Sequence, residues 1–262
     1  MNEIGENSGE PTPSRRQELL RNLVNIRQQI EEAAQGRQVR LVAVSKLKPA
    51  SDIAALYDDG GQRHFGENYV AELAEKAKLL PQDINWHFIG ALQTNKCKTL
   101  ASIPNLFAVE TVDSIKKADA LNKARTYLVQ NSSSPIRPLQ IYLQINTSDE
   151  PTKAGLRVDE TSLVHPDLLA LAKFIKHECS ELELTGLMTI GSIEQSIGSE
   201  EQNKDFEKLV KIRDALTAQL DTPLGLSMGM SSDFSLAIRL GSDNVRVGSK
   251  IFGQRPPFKS SS

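Results

Sequence analysis

LVAVSKLKP, residues 41–49, decides how the fold is read. An apolar run expected to be a strand over Val39–Ser45 carries straight into Lys46, and the turn Ser45-Lys46-Leu47-Lys48-Pro49 holds no glycine. Side chains alternate along a strand, so Val42, Val44 and Lys46 share one face. Seven further short apolar runs follow: His64–Gly66, Trp86–Ile89, Leu106–Val109, Leu139–Ile145, Leu184–Met188, Leu224–Met228 and Val245–Val247. Helical periodicity separates them over Ser51–Asp58, Tyr69–Leu79, Ser114–Leu128, Asp167–His177 and Asp205–Leu220. Strands alternating with helices make a parallel sheet, because each parallel return needs a crossover. Eight such units imply a closed barrel. An open doubly wound sheet is the alternative, but it usually carries a glycine-rich turn after its first strand, and the turn at Lys46 has none. The expected fold is α/β: a single (β/α)8 TIM-type barrel with an extra N-terminal helix.

The flanks fit that reading. Residues 1–13 are polar, with Pro11 and Pro13, and are expected to be a disordered tail. A barrel domain is expected over 14–262. Its first helix is expected to be capped by Ser14 with Gln17 three residues on, followed by Leu19, Leu20, Leu23, Ile26 and Ile30 at helical spacing. The 262 residues suit one barrel of about 250 residues. A net charge of −2 gives no electrostatic drive toward nucleic acid or an anionic membrane, and no apolar run approaches the ~20 residues of a membrane span. Cys97 and Cys179 have no metal-ligand spacing and fit a reducing compartment. Glu3, Glu6 and Glu10 argue against a signal or transit peptide, so a cytoplasmic protein is expected. Gln130–Pro138 reads as a surface connector. Gly191–Lys204 follows the sixth expected strand and would overhang the strand C-terminal face, where barrel active sites sit.

Three places offer chemistry. Inside a barrel mouth Lys46 would sit among apolar walls, and desolvation together with the like charge of Lys48 favours the neutral amine that attacks a carbonyl. A lysine at a strand end also simply snorkels to solvent, and the residues alone leave both readings open. VRVGSKIFG, residues 245–253, places Gly248-Ser249 between a strand and a short helical turn, an arrangement barrels use for phosphate. Glycine there can equally serve the turn alone. Arg246 shares parity with Asn244 and Gly248, so it would point inward and need a partner. LSMGMSSD, residues 226–233, offers Ser231 or Ser232 either to a ligand or as a cap for a helix entered at Asp233. In GENYV, residues 66–70, a turn leaves Asn68 open to a polar contact. His64, His87, His165 and His177 show no metal spacing, and no Ser–His–Asp set can be assembled. Trp86 and His87 read as a packed pair, and Met188 as core.

VAVSKLKP (42–49), HFGENYV (64–70), WHFIGALQTNK (86–96), GLMTIGS (186–192), LSMGMSSDF (226–234) and VRVGSKIFG (245–253) stand in this order. Together they resemble the pyridoxal phosphate homeostasis proteins, also called the proline synthase co-transcribed family, from about Leu41 to Arg255. The resemblance implies a barrel like the N-terminal domain of alanine racemase, with pyridoxal 5′-phosphate (PLP) held as an imine on Lys46. It implies phosphate contacts at Gly248 and Ser249, Ser231 touching phosphate, Arg246 facing the pyridine nitrogen, and a contact from Asn68. Alanine racemases have a C-terminal β-domain that supplies a tyrosine base. Here only PPFKSSS follows Arg255, and Phe252 replaces the racemase tyrosine after the phosphate turn. The expected function is therefore intracellular PLP homeostasis without catalytic residues or a metal. PLP and apo PLP-dependent enzymes are the expected partners, and a monomer is expected. An amino-acid racemase of narrow specificity and a cofactor-free Schiff-base aldolase are the alternatives.

Overall fold

Nine strands, all paired in parallel, run along the described chain: β1 (Arg40–Val44), β2 (His64–Glu67), β3 (Asn85–Phe88), β4 (Leu106–Val112), β5 (Leu139–Asn146), β6 (Leu156–Arg157), β7 (Leu182–Met188), β8 (Gly225–Ser227) and β9 (Asn244–Val247). In this computed structural model, residues 10–148, 150, 152–158, 164–198 and 202–254 are described. Eight of the strands form a ring. β1 pairs with β2 on one side and β9 on the other, β4 pairs with β5, and β5 pairs with β7. Among the described residues the short β6 pairs with β5 alone, outside the ring. The (β/α)8 expectation holds, and the open sheet is excluded by the β1–β9 register, Arg40↔Asn244 through Ala43↔Val247.

Helices α1 (Pro13–Ala34), α2 (Ala50–Asp58), α3 (Val70–Leu79), α4 (Cys97–Ala101), α5 (Ile115–Asn131), α6 (Pro166–Glu178), α7 (Ile193–Gly198), α8 (Lys204–Leu220), α9 (Phe234–Arg239) and α10 (Ser249–Phe252) wrap the ring. Strand alternation divides the core in two. Outward residues such as Ala43, Phe65, Trp86, Val109, Ile141, Leu187, Val245 and Val247 pack with the helices in one large apolar cluster. Of the interior residues, Ala108, Tyr142 and Met188 form a separate small cluster, and much of the rest of the interior is polar. At Gly66 a Cβ would stand 2.9 Å from Val42 Cγ1 and 3.2 Å from Ile89 Cδ1, so the β2 backbone can sit there only without a side chain.

Several local expectations need correction. The first helix begins at Pro13, one residue before the expected cap. Proline suits the first helical position, and Thr12 Oγ1, 3.2 Å from Arg15 N, accepts the capping bond instead of Ser14. The expected tail is helical from Pro13 onward, and its residues 1–9 lie outside the described residues. β1 ends at Val44, so Lys46 lies in the turn beyond the strand. β2 extends through Glu67, which leaves Asn68 and Tyr69 as the connection to α3. Neither Ser231 nor Ser232 caps α9. Asp233 holds that position without a cap bond, its Oδ1 accepting from Met230 N at 2.6 Å. The expected overhang at Gly191–Lys204 contains α7, with residues 199–201 outside the description.

Candidate functional site

The carboxyl ends of β1, β2, β3, β7, β8 and β9 surround a cavity of about 760 Å³ at the barrel mouth. Lys46, Asn68, Ser231, Arg246, Gly248 and Ser249, from segments up to 203 residues apart in sequence, all line it. That volume lies within the ~300–1,000 Å³ usual for cofactor sites. Val44, Ile89, Ile190 and Met230 supply apolar wall.

One side of the cavity suits an anion. Gly248 N donates to Ser231 Oγ at 3.2 Å, which ties the β8 loop to the β9 turn and aligns the two hydroxyl-bearing segments. A Cβ at Gly248 would lie 3.3 Å from both Val44 Cβ and Val44 O, so glycine lets the two turns approach. Ser249 then begins α10 at the open edge. Hydroxyls, together with the first-turn N–H groups that no helix carbonyl can accept, are donors of the kind that hold phosphate. Phe252 is buried in the core, and its carbonyl accepts from Arg15 Nη2 at 2.8 Å.

The floor is a polar network that the residue pattern did not reveal. Arg246 is almost wholly buried, donating from Nη1 to Ser227 Oγ (2.5 Å) and from Nη2 to Thr189 O (2.8 Å). Ser227 Oγ donates to Glu110 Oε2 at 2.5 Å and also accepts from Asn244 Nδ2 at 3.0 Å. Glu110 is fully buried, 3.8 Å from Arg246 Nη1 and 2.7 Å from His87 Nδ1. His87 Nε2 lies 2.9 Å from His64 Nδ1. The chain of bonds is satisfied with both imidazoles neutral, His87 donating to the carboxylate and accepting from His64. Burial pushes both imidazoles down, His64 to about 3. Burial alone would raise the Glu110 carboxyl, but the hydrogen bond from His87, the nearby Arg246 charge and the Ser227 bond outweigh it and hold it below its ordinary value. Arg246 thus has the partner that an inward arginine requires, Glu110. The signal was present in the sequence as a glutamate inside the apolar run FAVETV (107–112).

Trp86 and His87 are not a packed pair: adjacent on β3, they face opposite sides of the strand, Trp86 packing in the outer apolar cluster beside Phe65 and His87 joining this interior network. Among the described residues no group of three His, Cys, Asp or Glu is placed to hold a metal, and no helix is long and apolar enough to cross a membrane.

The residues fit a phosphorylated aldehyde: an amine at Lys46, hydroxyl and backbone donors across the cavity, and the buried Asn68 Oδ1 with no hydrogen-bond partner of its own. Residues 15–256 match the family described as alanine racemase, N-terminal domain. The pyridoxal phosphate homeostasis protein of Schizosaccharomyces pombe is 48% identical over 236 residues, covering 90% of this chain and 92% of that protein. The structure of PipY from Synechococcus elongatus PCC7942 with PLP bound superposes with a TM-score of 0.71 at 31% identity, covering 90% of this chain and 100% of that one. A Clostridium difficile alanine racemase shares the fold, with a TM-score of 0.63 at 18% identity over 58% of its chain.

Proposed function

The chain belongs to the alanine racemase N-terminal domain family and, within it, to the pyridoxal phosphate homeostasis proteins, and we propose on that footing that it holds PLP on Lys46 in the cytoplasm and passes it to apo-enzymes as a monomeric carrier. The observation that carries this reading is the single cavity joining Lys46 to Ser231, Arg246, Gly248 and Ser249. When bound, the cofactor supplies an aldehyde that a lysine amine captures covalently. Lys46 is the capturing residue, while Gly248, Ser249 and Ser231 hold the phosphate end. Arg246, kept in place by Ser227 and Thr189, presents a fixed positive charge at the ring end that disfavours protonation of a pyridine nitrogen there, weakening the electron sink that carbanion chemistry uses.

Racemisation needs a base on each face of the substrate α-carbon. Apart from lysines, no side chain among the described cavity residues is a general base of the usual types. The other two lysines are engaged elsewhere: Lys48 Nζ donates to Gln254 O at 3.1 Å, and Lys250 Nζ lies 5.1 Å from the Phe234 ring centroid. The buried cysteines Cys97 and Cys179 are both free, which suits a reducing compartment.

Borohydride reduction of the PLP-loaded protein followed by peptide mapping should place the pyridoxyl mass on the peptide containing Lys46. A label found mainly on Lys250 would overturn the assignment. The same preparation should show no α-proton exchange of L- or D-amino acids in deuterated water. Exchange at about 1 s⁻¹ or faster, abolished by Lys46→Ala, would replace the carrier with a racemase.

A further inference from the structure

Leu47, immediately after the candidate attachment lysine, has φ 59°, a left-handed conformation that a leucine keeps only where its surroundings over-determine it. Its side chain is 46% exposed, so packing of that side chain is not what holds it. The backbone is held instead. Leu47 N donates to Glu72 Oε1 at 2.7 Å. On the other side of Lys46, Ser45 O accepts from Lys76 Nζ at 2.9 Å, and Ser45 Oγ donates to Glu67 Oε1 at 2.6 Å. Lys76 Nζ donates to both carboxylates, 2.7 Å from Glu67 Oε1 and 2.7 Å from Glu72 Oε1. One buried ammonium and two carboxylates therefore grip the residues on either side of Lys46. Lys76 is 6% exposed and Glu67 0%. None of the three lines the cavity, so their effect on it runs through the turn. A buried ion cluster adds little net stability compared with well-packed apolar residues, so its specific consequence here is the geometry it imposes.

We propose that Lys76, with Glu67 and Glu72, is the positioning device that aims Lys46 at the aldehyde, and that it governs covalent capture without governing retention of the phosphate end. This rests on the reading of Lys46 as the attachment residue. In the capture step Lys46 Nζ adds to the aldehyde carbon, a C=N bond forms, and the carbonyl oxygen leaves as water, with no oxidant or reductant involved. Glu67 and Glu72 come from β2 and α3, and the phosphate-side residues from the loop after β8, the turn after β9 and α10. The two halves of the site are therefore separable by mutation.

The test uses two probes on the full chain. PLP reports capture by its imine absorbance and by borohydride fixation at Lys46, and pyridoxine 5′-phosphate, whose alcohol cannot form the C=N bond, reports phosphate-end binding alone. Glu72→Ala frees Leu47 N and should lower the rate and equilibrium extent of capture by about 10-fold or more, the size set by one hydrogen bond to a charged acceptor. Binding of the alcohol should stay within about 2-fold, because no hydrogen bond on the phosphate side is removed. Glu72→Gln, which keeps an oxygen for Leu47 N, should recover much of the loss and serves as the readout if Glu72→Ala does not fold. Equal loss of both probes, or unchanged capture in both variants, would overturn the positioning role. Failure of the unsubstituted protein to capture PLP would instead overturn the carrier reading itself.

Discussion

Replacing Glu110 by glutamine changes one atom and one charge at the centre of the barrel. The carboxylate lies 2.7 Å from His87 Nδ1, 2.5 Å from Ser227 Oγ and 3.2 Å from Asn244 Nδ2, and it faces Arg246 Nη1 at 3.8 Å. At that separation, with an effective dielectric of about 20, the attraction between the two charges is about 4 kcal/mol. Glutamine removes it and leaves Arg246 buried with only neutral partners, a defect that typically costs about 3–5 kcal/mol. Glu110→Gln should therefore lower the unfolding free energy of the cofactor-free protein by about 3–5 kcal/mol. Urea titration followed by circular dichroism and by fluorescence of the single, fully buried tryptophan, Trp86, measures it. Arg246→Met combined with Glu110→Gln removes both charges, so the double variant should be less destabilised than the two single losses added together. A loss below about 1 kcal/mol, the range of exposed ion pairs, or strict additivity in the double variant would refute the paired-charge reading of the barrel floor.

Ser249→Ala should weaken retention of PLP by roughly 10-fold, through loss of a hydrogen bond to a charged phosphate, and leave pyridoxal, which has no phosphate, unaffected. Equilibrium dialysis with both ligands checks this, and equal weakening of the two would remove Ser249 from the phosphate site. Stability should fall as pH drops from about 6.5, the ordinary imidazole value, toward 3. Burial, helped by the neighbouring Arg40 charge, pushes His64 down to about 3, and burial pushes His87 down as well, so across that window the unfolded chain binds more protons than the folded one. Glu67, which burial raises to about 7, acts in the opposite sense, but it does so in both proteins when His64→Asn is compared with the parent. Urea midpoints at pH 7 and pH 4.5 should differ less in His64→Asn than in the parent, with His87 keeping its own share. Equal differences would show that His64 does not titrate as described.

The sequence by itself determined the strand–helix alternation, the eight ring strands, and the parity that turns Arg246 and Asn244 inward while Val245 and Val247 face the helices. Those features are local: a period of two or 3.6 is written in neighbouring residues and survives whatever the chain does elsewhere. The Lys46, Ser231 and Gly248-Ser249 segments were legible for a related reason, since each is a short turn with its own residue requirements. The two-residue β6 carries too little pattern to be read. The helix start at Pro13 depends on Thr12, not Ser14, reaching Arg15 N, and the start of α9 on Asp233 accepting from Met230 N in the loop before it.

Only the tertiary structure decided which inward residues meet. Glu110 lies 117 residues from Ser227 and 134 from Asn244, and neither spacing carries information until the β1–β9 pairing closes the ring and fixes its register. The clamp on Lys46 likewise needs β2 beside β1 and α3 folded back over the turn, so that Glu67, Glu72 and Lys76 arrive beneath Ser45 and Leu47. Periodicity assigns each residue a side of the strand. Its partner across the barrel is set by closure and register, which depend on all eight ring strands at once.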